Sequence, residues 1–385
     1  MKIMALRGIK VLEIAGLAPA PFCGMILADY GATVIKIDKT LPDIFGETDC
    51  LANGKKSVSI DLKHPDGVGI LRKMCKKSDV LIEPFRSGVM EKLGLGPNIL
   101  LEDNDRLIYA RLTGYGQSGL FSKRAGHDIN YVAMSGILSL LGEKNSAPTP
   151  PANLIADLGG GGLMCAFGIM AALFDRERSG KGQVIDCNMV EGSAYLCSWL
   201  ARSQHLPIWG KAKGNNMLDG GLHNYKTYET KDKKWMAVGS IEHKFYLELL
   251  KGLNFTEEDL PYFSDDPEKC QRMVATKFKE KTQKEWCEIF NDTDACVTPV
   301  LSLEEAAEHP HNAERKSFIK SFQGNVAPKP APRLSRTCAV SLADQPSPVV
   351  GQDTLEELLN LDYTHTEINK LVESGVVKCV NKSKL

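Results

Sequence analysis

Three ionisable side chains stand in segments where proton-transfer chemistry is possible. His127 follows Gly126 at the start of a predicted helix, Asp157 precedes a run of four glycines, and Glu242 follows a predicted strand. A positioned base of matched pKa typically contributes ~10²–10⁴-fold to the rate of a proton transfer. Each residue also has a purely structural alternative: His127 as a capping or core residue, Asp157 as a helix N-cap, and Glu242 as a first-turn acid.

The glycines at 159–162 lead into an apolar helix predicted over 163–174. Backbone amides at the start of a helix stabilise negative charge, so the amides near Asp157 and Leu158 are candidate donors to an anion. No apolar run in the chain approaches the ~20 residues that a membrane span needs. The pattern therefore predicts a buried helix and no membrane insertion.

A second glycine-rich segment, 114–119, has the pattern GxGxxG after a predicted strand. A dinucleotide site needs that loop to open a helix, with an acidic residue about 20 positions later. Residues 120–125 have no helical pattern. The acid nearest to the required position, around 139, is Glu143 in a polar loop. A nicotinamide site is therefore not favoured, although the glycines would let a ligand approach the backbone.

Strand and helix patterns alternate through the first 190 residues. Predicted strands lie at 9–14, 32–37, 80–82, 107–110 and 183–188, and predicted helices lie at 19–30, from 64 onward and at 190–203. The alternation predicts an α/β fold with a Rossmann-like parallel sheet and helices on both faces.

The middle of the chain predicts a smaller α+β domain. It has a hairpin of 225–229 and 235–239, then helices at 242–250, 267–278 and 283–291. A last helix begins at a capping box of Thr364 and Glu367 and stops near Gly375. The predicted division is a large domain at 1–190, a linker at 191–224, a small domain at 225–315, and a return to the large domain at 316–385.

The composition is that of an ordinary folded protein, with 43% hydrophobic and 25% charged residues in 385. The 47 basic and 48 acidic residues give a net charge of −1, which argues against nucleic acid or an anionic membrane as the main partner. The 11 cysteines include no CxxC pair, and no His, Cys and Asp cluster has metal-ligand spacing. We therefore expect neither a disulfide framework nor a metal site.

The residues Ser383-Lys384-Leu385 match a peroxisomal targeting signal. The segment 1–7 is too short and too polar for a signal peptide, and it lacks the Arg- and Ser-rich pattern of a transit peptide. We therefore expect a peroxisomal import receptor as a partner and the peroxisome as the location, with a mitochondrial pool left open.

Several of these segments together resemble the family III CoA-transferases, and within them the racemase branch. The resemblance is carried by 11–13 with 31–32, 83–89, 109–116, 126–131, 153–162, 180–183, 216–221 and 294–301. These matches follow in order over nearly the whole chain.

The resemblance implies a reaction without a cofactor, the interconversion of (2R)- and (2S)-2-methylacyl-CoA thioesters through an enolate. His127 and Asp157 would be the acid and the base on opposite faces of the α-carbon. Glu242 would orient the histidine and would come from the partner chain of an interlocked homodimer. Such an enzyme would serve the β-oxidation of branched fatty acids and bile-acid side chains.

The resemblance also places the CoA moiety against the first βα units. Candidate contacts are Lys36, Lys39, Lys55, Lys56, Arg86 and Lys92, with Tyr115 and Gly116 in the glycine-rich loop. Lysine holds a phosphate as a point charge, without the bidentate geometry of arginine. For each basic residue the alternative is an ordinary solvated surface charge.

Two other functions stay open. A CoA-transferase on the same fold would use Asp157 as a nucleophile and form an acyl anhydride, but the transferase branch lacks a histidine at the position of His127. A CoA-binding protein without catalysis is the other, and the presence of His127, Asp157 and Glu242 argues against it.

Overall fold

The computed structural model describes residues 4–41 and 49–380, which divide into two compact units. The first unit comprises Met1–Gly136, Pro151–Leu196 and Pro310–Leu385, and the second comprises Ile137–Pro150 and Cys197–His309. The domain boundaries given by the sequence stay a prediction beside this division. The predicted targeting tripeptide at 383–385 lies outside the described residues.

The strands are short and follow the order of the chain. They are β1 (Lys10–Ile14), β2 (Thr33–Asp38), β3 (Lys56–Ile60), β4 (Val80–Glu83), β5 (Ile108–Thr113), β6 (Val184–Asn188), β7 (Tyr225–Glu229), β8 (Trp235–Gly239), β9 (Val297–Val300), β10 (Phe318–Lys320), β11 (Val326–Pro328) and β12 (Val377–Lys378).

The helices are α1 (Pro19–Asp29), α2 (Pro65–Lys76), α3 (Val89–Lys92), α4 (Pro97–Asp103), α5 (Asp128–Met134), α6 (Met164–Ser179), α7 (Met189–Leu196), α8 (Ser198–Arg202), α9 (His243–Leu253), α10 (Pro267–Phe278), α11 (Gln283–Phe290), α12 (Leu303–Glu308), α13 (Pro310–Arg315), α14 (Thr354–Leu359) and α15 (His365–Glu373). Shorter 3₁₀ turns cover Ile137–Leu140 and Pro207–Trp209, and a π-helix covers Leu154–Leu163.

The described part of the first unit contains a seven-stranded sheet in the order β12-β3-β2-β1-β4-β5-β6. Strands β1 to β6 pair in parallel, and β12 pairs with β3 in the antiparallel direction. Strands β2, β4 and β5 are buried along nearly their whole length, as parallel strands must be when helices cover both faces of the sheet. The predicted parallel-sheet α/β fold is confirmed.

Alternate residues of β1 point into two separate cores. Leu12 and Ile14 pack with residues of α2, α14 and α15 on one face of the sheet. Val11 packs with residues of α1 and α6 on the other face. The period of two along the strand therefore places one layer of helices on each side.

The order of strands reverses at β1, which pairs with β2 on one side and β4 on the other. The loops that leave β1 and β4 at their carboxyl ends diverge there. In open α/β sheets this point forms a crevice in which ligands bind. Arg86 lies in the loop after β4, and the glycine-rich loop 114–119 follows the neighbouring strand β5.

The π-helix and α6 form one continuous helix, Leu154–Ser179, of 26 residues. By length and composition alone it could cross a membrane, so the expectation that no segment approaches that length is wrong. Its contacts with α1, α5 and α7 are those of a core helix in a folded unit. The predicted N-cap role of Asp157 is also wrong, because Asn153 precedes the helix and Asp157 lies inside it.

The second unit is built on the antiparallel sheet β7-β8-β9. The predicted hairpin is present as β7 and β8, and the three predicted helices are present as α9, α10 and α11. Helix α9 presents Tyr246, α10 presents Phe278 and α11 presents Trp286 to one apolar core. In the first unit, the predicted capping box of Thr364 and Glu367 is present at the start of α15.

Candidate active site

His127 is the N-cap residue of α5 and its side chain is exposed. Its backbone N–H donates to Oδ1 of Asn130 at 3.0 Å, which closes the first turn of the helix. Tyr131, one turn further on, is buried and donates its hydroxyl hydrogen to the carbonyl oxygen of Gly126. The histidine backbone is therefore fixed on both sides, while the imidazole stays accessible to a substrate.

Asp157 lies in the π-helix with only 8% of its surface exposed. Nδ2 of Asn153 donates to Oδ2 of Asp157 at 2.7 Å. Burial raises the pKa of Asp157, and the negative charge of Asp128 raises it further, while Asn153 and His127 lower it. The influence of His127 on this pKa places the two predicted acid/base residues within electrostatic range of each other in the same compact unit.

Asp128 connects the helix that carries His127 with the helix that carries Asp157. Its Oδ2 accepts the backbone N–H groups of Ala156 and Asp157, both at 2.9 Å. We predicted no role for Asp128 from the sequence, although it directly follows the histidine. The only signal was that position, which does not reveal a bond to residues almost thirty positions away.

The backbone amides of Asp157 and Leu158, which we expected to bind an anion, are already bonded. The Asp157 N–H donates to Asp128, and the Leu158 N–H donates to the carbonyl oxygen of Asn153 at 3.2 Å. The expectation fails for a different reason at each residue. The helix begins at Leu154, so the Leu158 N–H has an acceptor within the helix, at its N-cap Asn153. The Asp157 N–H lies in the first turn, where amides have no intrahelical acceptor, and the side chain of Asp128 accepts from it instead.

Tyr131, in the helix that His127 caps, is influenced by groups from three other segments. Burial raises the pKa of Tyr131 to about 12, the charges of Tyr115 and Asp157 raise it as well, and Arg86 lowers it. The ring of Tyr115 meets that of Tyr131 edge to face, with centroids 5.0 Å apart. Tyr115, which follows β5, therefore packs against the helix that His127 caps, and Arg86, which follows β4, acts on the same tyrosine.

Glu242 is the N-cap residue of α9 and lies in the second unit. It is therefore not the first-turn acid of the structural alternative. Its side chain is exposed and makes no capping hydrogen bond. Burial raises the pKa of Tyr262, and the negative charge of Glu242 raises it further.

Three of the lysines predicted to contact CoA are paired with carboxylates. Lys36 lies 2.9 Å from Asp49 and 3.3 Å from Asp38. Lys55 donates to Glu13 at 2.7 Å, and both side chains are fully buried. Lys56 contacts Glu356 and Glu357 at 2.9 and 2.8 Å. Their charges are thus balanced within the chain, and their role in phosphate binding stays a prediction.

The other predicted CoA contacts lie nearer the surface. Lys39, Arg86 and Lys92 are exposed, and Arg86 donates to the carbonyl oxygen of Lys123 at 3.1 Å. Gly116 has a φ of +81°, and a Cβ there would lie 3.2 Å from Nδ2 of Asn188. Among the residues at 4–41 and 49–380, no three His, Cys, Asp or Glu side chains are grouped as metal ligands.

Comparison with known proteins identifies the family. Residues 6–354 match CoA-transferase family III. The chain belongs to this family. It is 54% identical to the alpha-methylacyl-CoA racemase of Mus musculus over 97% of this chain and 98% of that protein. It is 53% identical to the racemase of Homo sapiens over 97% of this chain and 99% of that protein.

More distant family III members include transferases. The succinyl-CoA:glutarate CoA-transferase of Mus musculus is 29% identical over 97% of this chain and 90% of that protein. A CAIB/BAIF family protein from Brucella suis has a solved structure that matches with a TM-score of 0.76 and 25% identity, over 94% of this chain and 100% of that one. A solved structure from M. tuberculosis gives a TM-score of 0.77 at 24% identity, over 92% and 99%, which shows a shared fold.

In this family III member the GxGxxG segment does not open a helix. Residues 120–123 form turns, and the next helix begins at Asp128. The prediction that residues 120–125 form no helix is therefore confirmed.

Proposed function

We propose that this chain is a racemase that interconverts (2R)- and (2S)-2-methylacyl-CoA thioesters. The observation that carries the proposal is its 54% and 53% identity, over nearly full length, to two alpha-methylacyl-CoA racemases. The placement of His127 and Asp157 in one compact unit, within electrostatic range, supports the same reaction.

The reaction is a 1,1-proton transfer at the carbon next to the thioester. One of the pair removes the α-proton and leaves an enolate, and the other donates a proton to the opposite face. For one enantiomer His127 is neutral and Asp157 protonated at the start, and for the other enantiomer His127 is cationic and Asp157 ionised. The raised pKa of Asp157 suits this exchange, because a carboxyl group that both gives and takes a proton works best near the operating pH.

The CoA moiety is proposed to bind at the carboxyl edge of the parallel sheet. Arg86 after β4 and the loop of Tyr115 and Gly116 after β5 lie where open α/β sheets bind ligands. Lys39 after β2 and Lys92 at the end of α3 are exposed basic residues. The acyl chains proposed are those of branched fatty acids and bile-acid intermediates on the way to β-oxidation.

The proposed assembly is an interlocked homodimer, and each chain is proposed to have a smaller α+β domain. In this dimer Glu242 of the partner subunit orients His127. The surface of helix α6 supports the proposal of a dimer. Phe167, Met170 and Phe174 lie on one face of this helix and are 65%, 41% and 68% exposed. Tyr195 of the neighbouring α7 is 69% exposed. An apolar face of this kind in a folded unit is typical of an interface.

The proposed location is the peroxisome, with import through a receptor that reads Ser383-Lys384-Leu385. Branched acyl-CoA racemisation fits an organelle that carries out β-oxidation. A fluorescent protein fused before Met1 should collect in peroxisomes, and deletion of the tripeptide should release it. A fusion that stays diffuse with the tripeptide intact would reject this address.

A CoA-transferase reaction through an anhydride at Asp157 is the second candidate, because the 29% identical relatives are transferases. A single experiment separates the two reactions. A single-enantiomer 2-methylacyl-CoA is incubated with the protein in D₂O, without an acceptor acid. A racemase incorporates deuterium at C2 and produces both enantiomers, whereas a transferase leaves the thioester unchanged.

His365→Ala is the matched control for a variant that lacks His127, because it removes an exposed histidine from α15. It should exchange deuterium at the wild-type rate. If the wild-type protein incorporates no deuterium, the proposed racemase function is wrong.

A further inference from the structure

Asp128 is a buried carboxylate for which the reaction scheme above has no use. It is the first residue of α5, directly after His127, and only 4% of its surface is exposed. Its Oδ2 accepts two backbone hydrogen bonds from the helix that carries Asp157, at 2.9 Å from Ala156 and 2.9 Å from Asp157. Both acceptor bonds involve a charged group, and such bonds are roughly twice as strong as neutral ones.

This arrangement gives Asp128 a covalent neighbour in one acid/base residue and a hydrogen bond to the backbone of the other. The distance between the His127 and Asp157 side chains therefore depends on where the Asp128 carboxylate holds the π-helix. Proton transfer to opposite faces of one carbon is sensitive to that distance, since a misplacement of 1 Å can cost about 10²-fold in rate.

We propose that Asp128 is a positioning residue, which sets the separation of His127 and Asp157 by holding the backbone of residues 156–157 against the start of α5. The inference rests on the proposed racemase function. Asp128 does not touch the reacting carbon in this role, and it acts through the two residues that do.

Asp128 also acts on Asp157 through its charge. After burial, the carboxylate of Asp128 is the next group that raises the pKa of Asp157, while His127 lowers that pKa. The groups that shift this pKa beside burial are Asn153, Asp128 and His127. The elements packed against the π-helix also carry Asp29 on α1, Arg111 on β5, Asp186 on β6, Asp175 on α6, and Glu191 and Tyr195 on α7. Removing the charge of Asp128 should therefore lower the pKa of Asp157.

Two substitutions separate the hydrogen bonds from the charge. Asp128→Asn keeps a side-chain oxygen that can accept from both amides but removes the negative charge. Asp128→Ala removes the acceptor altogether and leaves two buried N–H groups without a partner. Glu191→Gln is the matched control, because it removes one exposed carboxylate from α7, which packs on the same π-helix.

The measurement is deuterium exchange at C2 of each enantiomer of a 2-methylacyl-CoA, over a range of pH. For Asp128→Ala we expect kcat to fall by about 10²-fold with KM little changed, because binding is intact and the geometry is not. For Asp128→Asn we expect a smaller loss of kcat. Its kcat/KM profile, for the enantiomer that Asp157 deprotonates, should have its acid limb at lower pH. Glu191→Gln should match the wild type in both respects.

A second readout does not depend on activity. Backbone hydrogen exchange of the segment 154–163 should be faster in Asp128→Ala than in the wild type and unchanged in Glu191→Gln. If Asp128→Ala does not fold, the fall in kcat of Asp128→Asn and its backbone hydrogen exchange over 154–163 decide the question.

The possible failures are distinguishable. A wild-type protein that exchanges no α-proton rejects the proposed function and this role with it. A wild type that exchanges, with a folded Asp128→Ala of unchanged kcat and an Asp128→Asn of unchanged acid limb, rejects only the positioning role. A folded Asp128→Ala that loses stability but keeps wild-type kcat shows a structural role alone and also overturns the proposal.

Discussion

At the scale of single residues, the candidate site is a set of opposing influences on one carboxyl group. Burial and the charge of Asp128 raise the pKa of Asp157, and the amide of Asn153 and the charge of His127 lower it. The buried ionised form is thereby costly but not excluded. A group with this balance can hold a proton in one half of the reaction and release it in the other.

The hydrogen bond from Asn153 offers a direct test of this balance. Asn153 has a φ of +64°, so Asn153→Gly removes the donor without adding backbone strain. Loss of the 2.7 Å bond removes an influence that lowers the pKa of Asp157, so this pKa should rise. In plots of kcat/KM against pH, for the enantiomer that Asp157 deprotonates, the acid limb should move to higher pH. An unmoved limb, or one at lower pH, would show that Asn153 does not stabilise the ionised form.

Substitution of His127 and substitution of Asp157 should affect the two enantiomers differently. His127→Ala and Asp157→Asn should each lower the rate of inversion at C2 by ~10²–10⁴-fold, because one face of the α-carbon then has no proton donor or acceptor. Residual exchange with D₂O should be confined to one enantiomer, and to opposite enantiomers in the two variants. NMR of each recovered thioester measures this. Inversion at the wild-type rate in either variant, with normal thermal unfolding, would reject the assignment.

At the scale of elements, the glycines at 159–162 serve close packing. A Cβ at Gly160 would lie 2.5 Å from the backbone N of Ser193 in α7, and one at Gly162 would lie 2.7 Å from the carbonyl oxygen of Pro19 in α1. The π-helix can approach both neighbours only because these side chains are missing.

We predict that Gly160→Ala destabilises the protein by about 1–3 kcal/mol, the usual cost of overpacking a dense interior. Thermal unfolding should occur at a lower temperature than in the wild type. The rate of α-proton exchange should also fall, because the π-helix carries Asp157. Gly69→Ala in α2 is the matched control, since a Cβ there meets nothing within 4 Å. That control should be neutral or stabilising by up to about 1 kcal/mol, because alanine favours helix more than glycine. Equal stability of the two variants would mean that the packing at Gly160 is not tight.

The elements also show what the sequence could and could not predict. Strands such as β4 and β5 were predictable because their apolar runs are too short for a typical buried helix and contain β-branched or aromatic residues. The start of the helix at Leu154 was not, since an aspartate before glycines has the local pattern of an N-cap and only contacts with α1 and α7 overrule it. The partners of Lys56 were equally hidden, because Glu356 and Glu357 lie 300 and 301 positions away.

At the scale of the whole molecule, the proposed site residues are divided between two compact units. His127 and Asp157 belong to the first unit and Glu242 to the second. The exposed apolar residues of α6 belong to the first unit as well. A homodimer would bury this face, and the proposed approach of Glu242 of the partner subunit to His127 would make each site depend on both chains.

Mixed dimers test whether sites are shared in this way. We expect His127→Ala and Glu242→Ala proteins to have little activity separately. Refolded together with two different affinity tags and purified through both, they should recover exchange activity. In such a dimer one site carries both substitutions, and the other combines an intact His127 with an intact Glu242 of the partner subunit.

The control for this complementation is a mixed dimer of His127→Ala and Asp157→Ala. Both residues lie in the first unit, so neither site of that dimer is complete whether or not Glu242 comes from the partner. Recovery in the first mixture and none in the second therefore requires that His127 and Glu242 of one site come from different chains. If verified mixed dimers of His127→Ala and Glu242→Ala remain inactive, each site is built from one chain and the shared-site proposal is wrong.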